Sequence, residues 1–136
     1  MIRVLVIDDQ SQVRSTIAIA LATKEKYQVA SVESGEEGMR VFEKAYFDLV
    51  IVDIYMPGLD GPKTIKKLRE QKHDLPVIAI SGVMLKSSTR TALDFMPLVP
   101  SFANVICLRK PFRPKELFDV VENALSRVDQ LLPTAG

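Results

Sequence analysis

Short apolar runs alternate along the chain with longer segments of helical period. The runs are Arg3–Ile7, Gln28–Val32, Leu49–Val52, Val77–Ile80 and Val105–Leu108. All but the second are continuously apolar, Arg3 at the start of the first excepted, the pattern of parallel strands covered on both faces. The second, Gln28-Val29-Ala30-Ser31-Val32, mixes polar with apolar positions and reads as an edge strand. Between the runs, Val13, Ile17, Ala20 and Leu21 share one helical face, as do Gly38, Val41, Phe42 and Ala45, and later Leu117, Val121, Ala124, Leu125 and Val128.

Local start signals agree with these segments. Ser11 is placed to cap the first helix, and Ser34-Gly35-Glu36-Glu37 reads as a capping box. Asp60-Gly61-Pro62 opens the third helix and Pro114 suits the first turn of the last. Thr89, Ala92, Leu93 and Met96 outline a fourth helix that Pro97 and Pro100 stop, leaving residues 97–104 as loop or irregular turn. The unit is a strand followed by a helix, five times over. Short right-handed crossovers make that a doubly wound α/β sheet.

Polar residues sit just past four of the runs: Asp8-Asp9, Asp53, Ser81 and Lys110. The carboxyl ends of parallel strands meet at one edge of the sheet, where open α/β proteins build their sites. If the first and third strands are neighbours, their ends lie about 4.8 Å apart. Asp8, Asp9 and Asp53 then crowd together, and a cation is needed to offset their charge. Oxygen ligands alone point to hydrated magnesium, with manganese as a substitute, rather than zinc. The single histidine, His73, falls in a polar loop. A carboxylate beside such a metal can attack phosphorus to give an aspartyl phosphate, with Lys110 and Ser81 meeting the remaining phosphoryl oxygens. Each residue alone reads as a turn residue, a cap or a solvated lysine. What the bland readings do not predict is complementary chemistry at four strand ends.

Composition narrows the class. The chain has 136 residues, enough for one domain with a core. A hydrophobic share of 47%, with 26% charged, is that of a globular protein. A net charge of +1 gives no reason to expect nucleic acid or a membrane surface as partner. Lys63, Lys66 and Lys67 read as a solvated helix face. The lone Cys107 rules out a disulfide framework and fits a reducing compartment. With no signal-like or membrane-spanning run, the expected location is cytoplasmic. Residues 1–130 are expected to form one domain, residues 131–136 a short tail, with no output domain.

The ordered set Asp8-Asp9, Asp53 with Met56-Pro57-Gly58 and Asp60-Gly61 after it, Ser81-Gly82, and Lys110-Pro111-Phe112 resembles the receiver domain of bacterial two-component response regulators. The resemblance covers nearly the whole chain. It implies a flavodoxin-like sheet of order 2-1-3-4-5 and phosphorylation of Asp53 by a histidine kinase or histidine phosphotransfer protein. It implies that Asp9, Asp53 and the main-chain carbonyl of Tyr55 hold magnesium directly, and Asp8 through water. It further implies that Lys110 contacts the phosphoryl group, that Ser81 moves to bond it, and that the Lys110–Pro111 bond is cis. An unidentified downstream protein would read the switch, and the fourth helix, fifth strand and fifth helix could form a homodimer.

Three positions depart from the family pattern. Cys107 stands where an aromatic ring commonly rotates on activation; it reads as a buried small hydrophobe. The signal would then pass mainly through Ser81 and the loop after it. Tyr55 stands two residues past Asp53, where it either shields an acyl phosphate from water or packs flat over the site. Between Ser81 and Lys110 the chain is longer than usual. Met96-Pro97-Leu98-Val99-Pro100-Ser101-Phe102 offers either a binding surface or core cover. The leading reading is a stand-alone phosphorylatable switch, not an enzyme beyond its own phosphorylation and dephosphorylation. The alternatives are a degenerate receiver that only docks, and an aspartyl-phosphate phosphohydrolase. Tyr55 disfavours the latter, because it occupies the place of the second acid.

Overall fold

A computed structural model describes residues 1–54, 61–82 and 103–131, the last five of these in backbone only. The fourth helix expected around Thr89–Met96, residues 97–102, Tyr55, Asp60 and the tail after Leu131 lie outside the described residues.

The continuous apolar runs become strands because their side chains are buried on both sides of a sheet. In chain order the elements are β1 (Ile2–Ile7), α1 (Ser11–Ala22), β2 (Tyr27–Val32), α2 (Gly35–Lys44), β3 (Leu49–Asp53), α3 (Gly61–Gln71), β4 (Val77–Ser81), β5 (Ile106–Arg109) and α4 (Pro114–Leu131), the last being the helix that the sequence pattern places fifth. All pairings are parallel, in the order β2-β1-β3-β4-β5. The doubly wound sheet and its strand order are as expected, and β2 is an edge strand. β5 is the other edge. Its apolar run suggested cover on both faces, yet it alternates: Leu108 is buried while Cys107 and Arg109 are exposed.

Successive side chains of each strand feed opposite cores. Val4, Val6, Leu49, Ile51, Ile78 and Ile80 pack with Ile17 and Leu21 of α1 and Leu117, Val121 and Ala124 of α4. Leu5, Ile7, Val50, Val52, Val77 and Ala79 pack on the other side with Ile65 and Leu68 of α3 and the partly buried Met39, Val41 and Phe42 of α2. At Gly38 a side chain would meet Ile7, with Ile7 Cγ1 at 3.0 Å, so α2 lies close against β1 only because no Cβ is there. Lys63, Lys66 and Lys67 are exposed, as read from the sequence.

Two expected caps differ in detail. Ser34 accepts from Glu37 N at 3.1 Å, while the carboxylate of Glu37 reaches Glu33 N, one residue earlier than a reciprocal box would place it. Ser11 is not the cap of α1. Gln10 is, with no side-chain cap bond; its N–H donates to the Asp8 carboxylate at 2.8 Å. No helix among the described residues is long and apolar enough to cross a membrane.

Candidate functional site

Each polar residue at the strand ends is fixed by sheet hydrogen bonds that continue past the strands. Asp8 N donates to Val32 O at 3.2 Å, Ile54 N to Ile80 O at 3.0 Å, and Lys110 N to Ser81 O at 2.7 Å. These bonds tie β1 to β2, β3 to β4 and β4 to β5 at the same edge, so the side chains leave a rigid rim. The Lys110–Pro111 peptide bond is cis, as the resemblance implied.

The structure brings the sequence-derived residues together. Carboxylate oxygens of Asp8, Asp9 and Asp53 lie within 4.8 Å of one another, close enough to share one cation. Asp8 is fully buried and Asp53 nearly so, while Asp9 stands at the exposed rim. Lys110 Nζ sits among them, 3.0 Å from Asp53 Oδ2 and 3.2 Å from Asp8 Oδ2. Ser81 is buried at the end of β4, and its Oγ has no hydrogen-bond partner among the described residues. Asp8 Oδ2 likewise has no hydrogen bond among the described residues, although Lys110 lies within ion-pair distance of it. Buried polar atoms left unsatisfied are uncommon and costly. Two of them at the strand-end edge that also carries the Asp9 and Asp53 carboxylates fit a site whose partners are a small cation and an oxyanion.

Electrostatics follow from that crowding. Burial is the main force pushing the Asp8 carboxyl above its ordinary pKa; the Gln10 N–H opposes it, and the Asp53 charge adds to the rise. Burial alone would lower Lys110. The hydrogen bond and charge of Asp53, with the charge of Asp8, outweigh it and hold the ammonium above the usual lysine range.

Cys107 requires a correction. It is exposed, not a buried small hydrophobe. β5 ends the sheet, and its alternation gives the buried side to Leu108. Tyr55, given a main-chain ligand role and a tuning role by the resemblance, lies outside the described residues.

Two residues at or near the site were not anticipated. Gln10 accepts a hydrogen bond from Lys110 Nζ at 2.9 Å across 100 positions of sequence. No pattern marks an exposed loop glutamine for that contact. Arg14 of α1 donates from its guanidinium to Asp8 O at 2.7 Å, bracing the acidic turn from behind. Gly61 is the third support. A Cβ there would stand 2.5 Å from Asp53 O and closer still to Ile54 Cα, so α3 starts directly against the peptide that follows Asp53.

A doubly wound parallel sheet with a carboxylate trio, an ammonium and a buried hydroxyl at the carboxyl-end edge defines an α/β domain with a charged site at its strand ends. Comparison with known proteins sharpens that class. The family model for the response regulator receiver domain matches residues 4–122, and the chain belongs to this family. A probable transcriptional regulator, ycf27, of Pyropia yezoensis is 32% identical over 134 residues, covering 98% of this chain and 51% of the relative. A probable C4-dicarboxylate response regulator, DctR, of Bacillus subtilis is 36% identical over 93 residues, covering 68% of this chain and 41% of the relative. The chain thus spans about half the length, or less, of these curated relatives. Among solved structures, a response regulator receiver domain protein from Clostridium thermocellum superposes with a TM-score of 0.80 at 28% identity, covering 97% of this chain and all of that one. The chemotaxis protein CheY4 of Vibrio cholerae gives 0.77 at 26% identity, covering 92% and 99%.

Proposed function

We propose that this chain is a phosphorylation-dependent signalling switch whose phosphoacceptor is Asp53. The observation that carries the reading is the position of Asp53: one oxygen on the Lys110 ammonium at 3.0 Å, and its carboxylate within 4.8 Å of Asp8 and Asp9. An oxygen of the Asp53 carboxylate forms a bond to phosphorus as the donor's bond to phosphorus breaks, and the electron pair of that bond leaves with the donor group. Lys110 holds a phosphoryl oxygen by charge and hydrogen bond. The unpartnered Ser81 hydroxyl is free to donate to another. Asp8, Asp9 and Asp53 would hold magnesium, which supplies Lewis-acid neutralisation of phosphoryl charge when bound.

The donor class is a phosphohistidine, on a histidine kinase or a phosphotransfer protein, and the readout is recognition by a downstream protein. A cytoplasmic setting belongs to the same reading. Incubation with magnesium and a small acyl-phosphate donor should add one phosphoryl group to the intact protein by mass spectrometry. Asp53→Asn should remain unlabelled. A wild-type protein that takes no phosphoryl group, or an Asp53→Asn variant that does, would end this reading.

A further inference from the structure

The Lys110 ammonium meets three oxygens: it donates hydrogen bonds to Gln10 Oε1 at 2.9 Å and Asp53 Oδ2 at 3.0 Å, and it pairs by charge with Asp8 Oδ2 at 3.2 Å. An ammonium only donates, so the amide oxygen of Gln10 is the atom turned toward it. Two of these three oxygens belong to the trio of carboxylates able to share a cation. A divalent ion seated there repels the ammonium and withdraws the negative charge that held it. Gln10 Oε1 is the oxygen among the three that such an ion does not claim.

The backbone of Gln10 is itself pinned. Its N–H donates to Asp8 Oδ1 at 2.8 Å, and its carbonyl accepts from Val13 N and Arg14 N, each at 3.1 Å, where α1 begins. The backbone that carries the side chain is therefore held at the start of α1, and the amide reaches Lys110 from there.

We propose that Gln10 is a positioning residue for phosphoryl transfer: it keeps the Lys110 ammonium beside Asp53 when a divalent cation occupies the carboxylates. The inference rests on the phosphoacceptor reading above and adds to it the residue that keeps Lys110 in range. Without Gln10, the cation and the ammonium compete for the same two carboxylates, and Lys110 is displaced toward water.

Two measurements test this. In the first, Gln10→Met keeps the length of the side chain and removes the amide oxygen. The maximal rate of labelling at saturating magnesium and acyl-phosphate donor should fall about 3- to 30-fold, the scale of a misplaced catalytic group. Magnesium affinity and the donor concentration for half-maximal rate should stay within about twofold. In a Lys110→Ala background the same change should cost nothing further, whereas a merely structural role at the start of α1 would persist there. In the second, the Lys110 ammonium is followed by proton–nitrogen NMR with saturating magnesium. Its signal should survive in the wild type and in Gln10→Glu, which keeps an acceptor, and be lost to solvent exchange in Gln10→Met. An unchanged rate, an equal loss without Lys110, or identical ammonium signals in wild type and Gln10→Met would overturn the proposal. A wild type that cannot be labelled would sink the phosphoacceptor reading, and the NMR measurement would still decide this one.

Discussion

Gly61 and Ile54 touch backbone to backbone: a Cβ on the glycine would lie 2.9 Å from Ile54 N and 2.5 Å from Asp53 O. The first residue of α3 thereby sets where the peptide after Asp53 runs. No side-chain rotamer relieves such a contact, because both partners are main chain. Gly61→Ala should lower stability by about 1–3 kcal/mol, the usual cost of overpacking that forces a backbone shift. Thermal and urea unfolding would measure it. Magnesium affinity should weaken in the same variant, because the Asp53 carboxylate moves with its backbone. A variant as stable as wild type would show that α3 can back away from β3 at little cost.

The raised pKa of Asp8 makes stability depend on pH, and the sign is fixed by the direction of the shift. Burial, the largest cause, penalises its ionised form; the Gln10 N–H opposes, and Asp53 adds to the rise. A carboxyl whose folded value exceeds its unfolded 3.8 binds its proton better when folded. That contribution is complete below the unfolded value and disappears as pH rises through the folded one. In chelator at about pH 7, Asp8→Asn should therefore be more stable than wild type, by on the order of 1 kcal/mol. The gap should close in acid, where wild-type Asp8 is protonated. Millimolar magnesium should raise the melting temperature of the wild type more at neutral pH than in acid, and raise that of Asp8→Asn much less. A wild type whose metal-free stability exceeds that of Asp8→Asn at neutral pH would show that the Lys110 ion pair outweighs the burial of Asp8.

Arg69 joins α3 to two connections. Its Nε donates to Leu75 O at 2.8 Å and its guanidinium to Ala103 O at 2.7 Å. Burial lowers its pKa, with the charge of Asp74 opposing, and an arginine remains charged under such a shift. Arg69→Met keeps the apolar stem but leaves the two carbonyls without these donors. A loss of about 2–3 kcal/mol is expected. Faster amide exchange should appear near Leu75 and Ala103, which lead into β4 and β5. Unchanged exchange there would mean that water replaces the guanidinium without loss.

Much of this arrangement is legible in the chain, and the gaps have physical causes. The sheet shows because buried parallel strands must be apolar on both faces. Asp8, Asp53, Ser81 and Lys110 show because a polar residue directly after such a run stands at the site edge. Cys107 differs because nothing in Val105–Leu108 says that β5 ends the sheet, so an apolar run there looks like a covered strand while Cys107 is exposed. Gln10 carries no pattern, since its role depends on a lysine that the sheet order brings near. Arg69 did leave a signal: it follows Ile65 by four residues on the buried stripe that holds Thr64, Ile65 and Leu68. A charge on an apolar stripe demands partners.

Ser81 separates a structural hydroxyl from a functional one. It is 1% exposed, and its Oγ makes no hydrogen bond among the described residues. A buried hydroxyl without a partner contributes nothing to the fold and costs part of its desolvation. Ser81→Ala should therefore leave the unphosphorylated protein as stable as wild type or raise its stability, by up to about 1 kcal/mol. Labelling of Asp53 by an acyl-phosphate donor should still occur, because Asp53 and Lys110 are untouched. The change should appear in the phosphorylated state. Amide shifts around β4 and β5 that accompany phosphorylation in the wild type should shrink in Ser81→Ala, and partly return in Ser81→Thr, which restores the hydroxyl. A clear destabilisation of unphosphorylated Ser81→Ala, with phosphorylation shifts intact, would make the hydroxyl a packing element and move the relay to another residue.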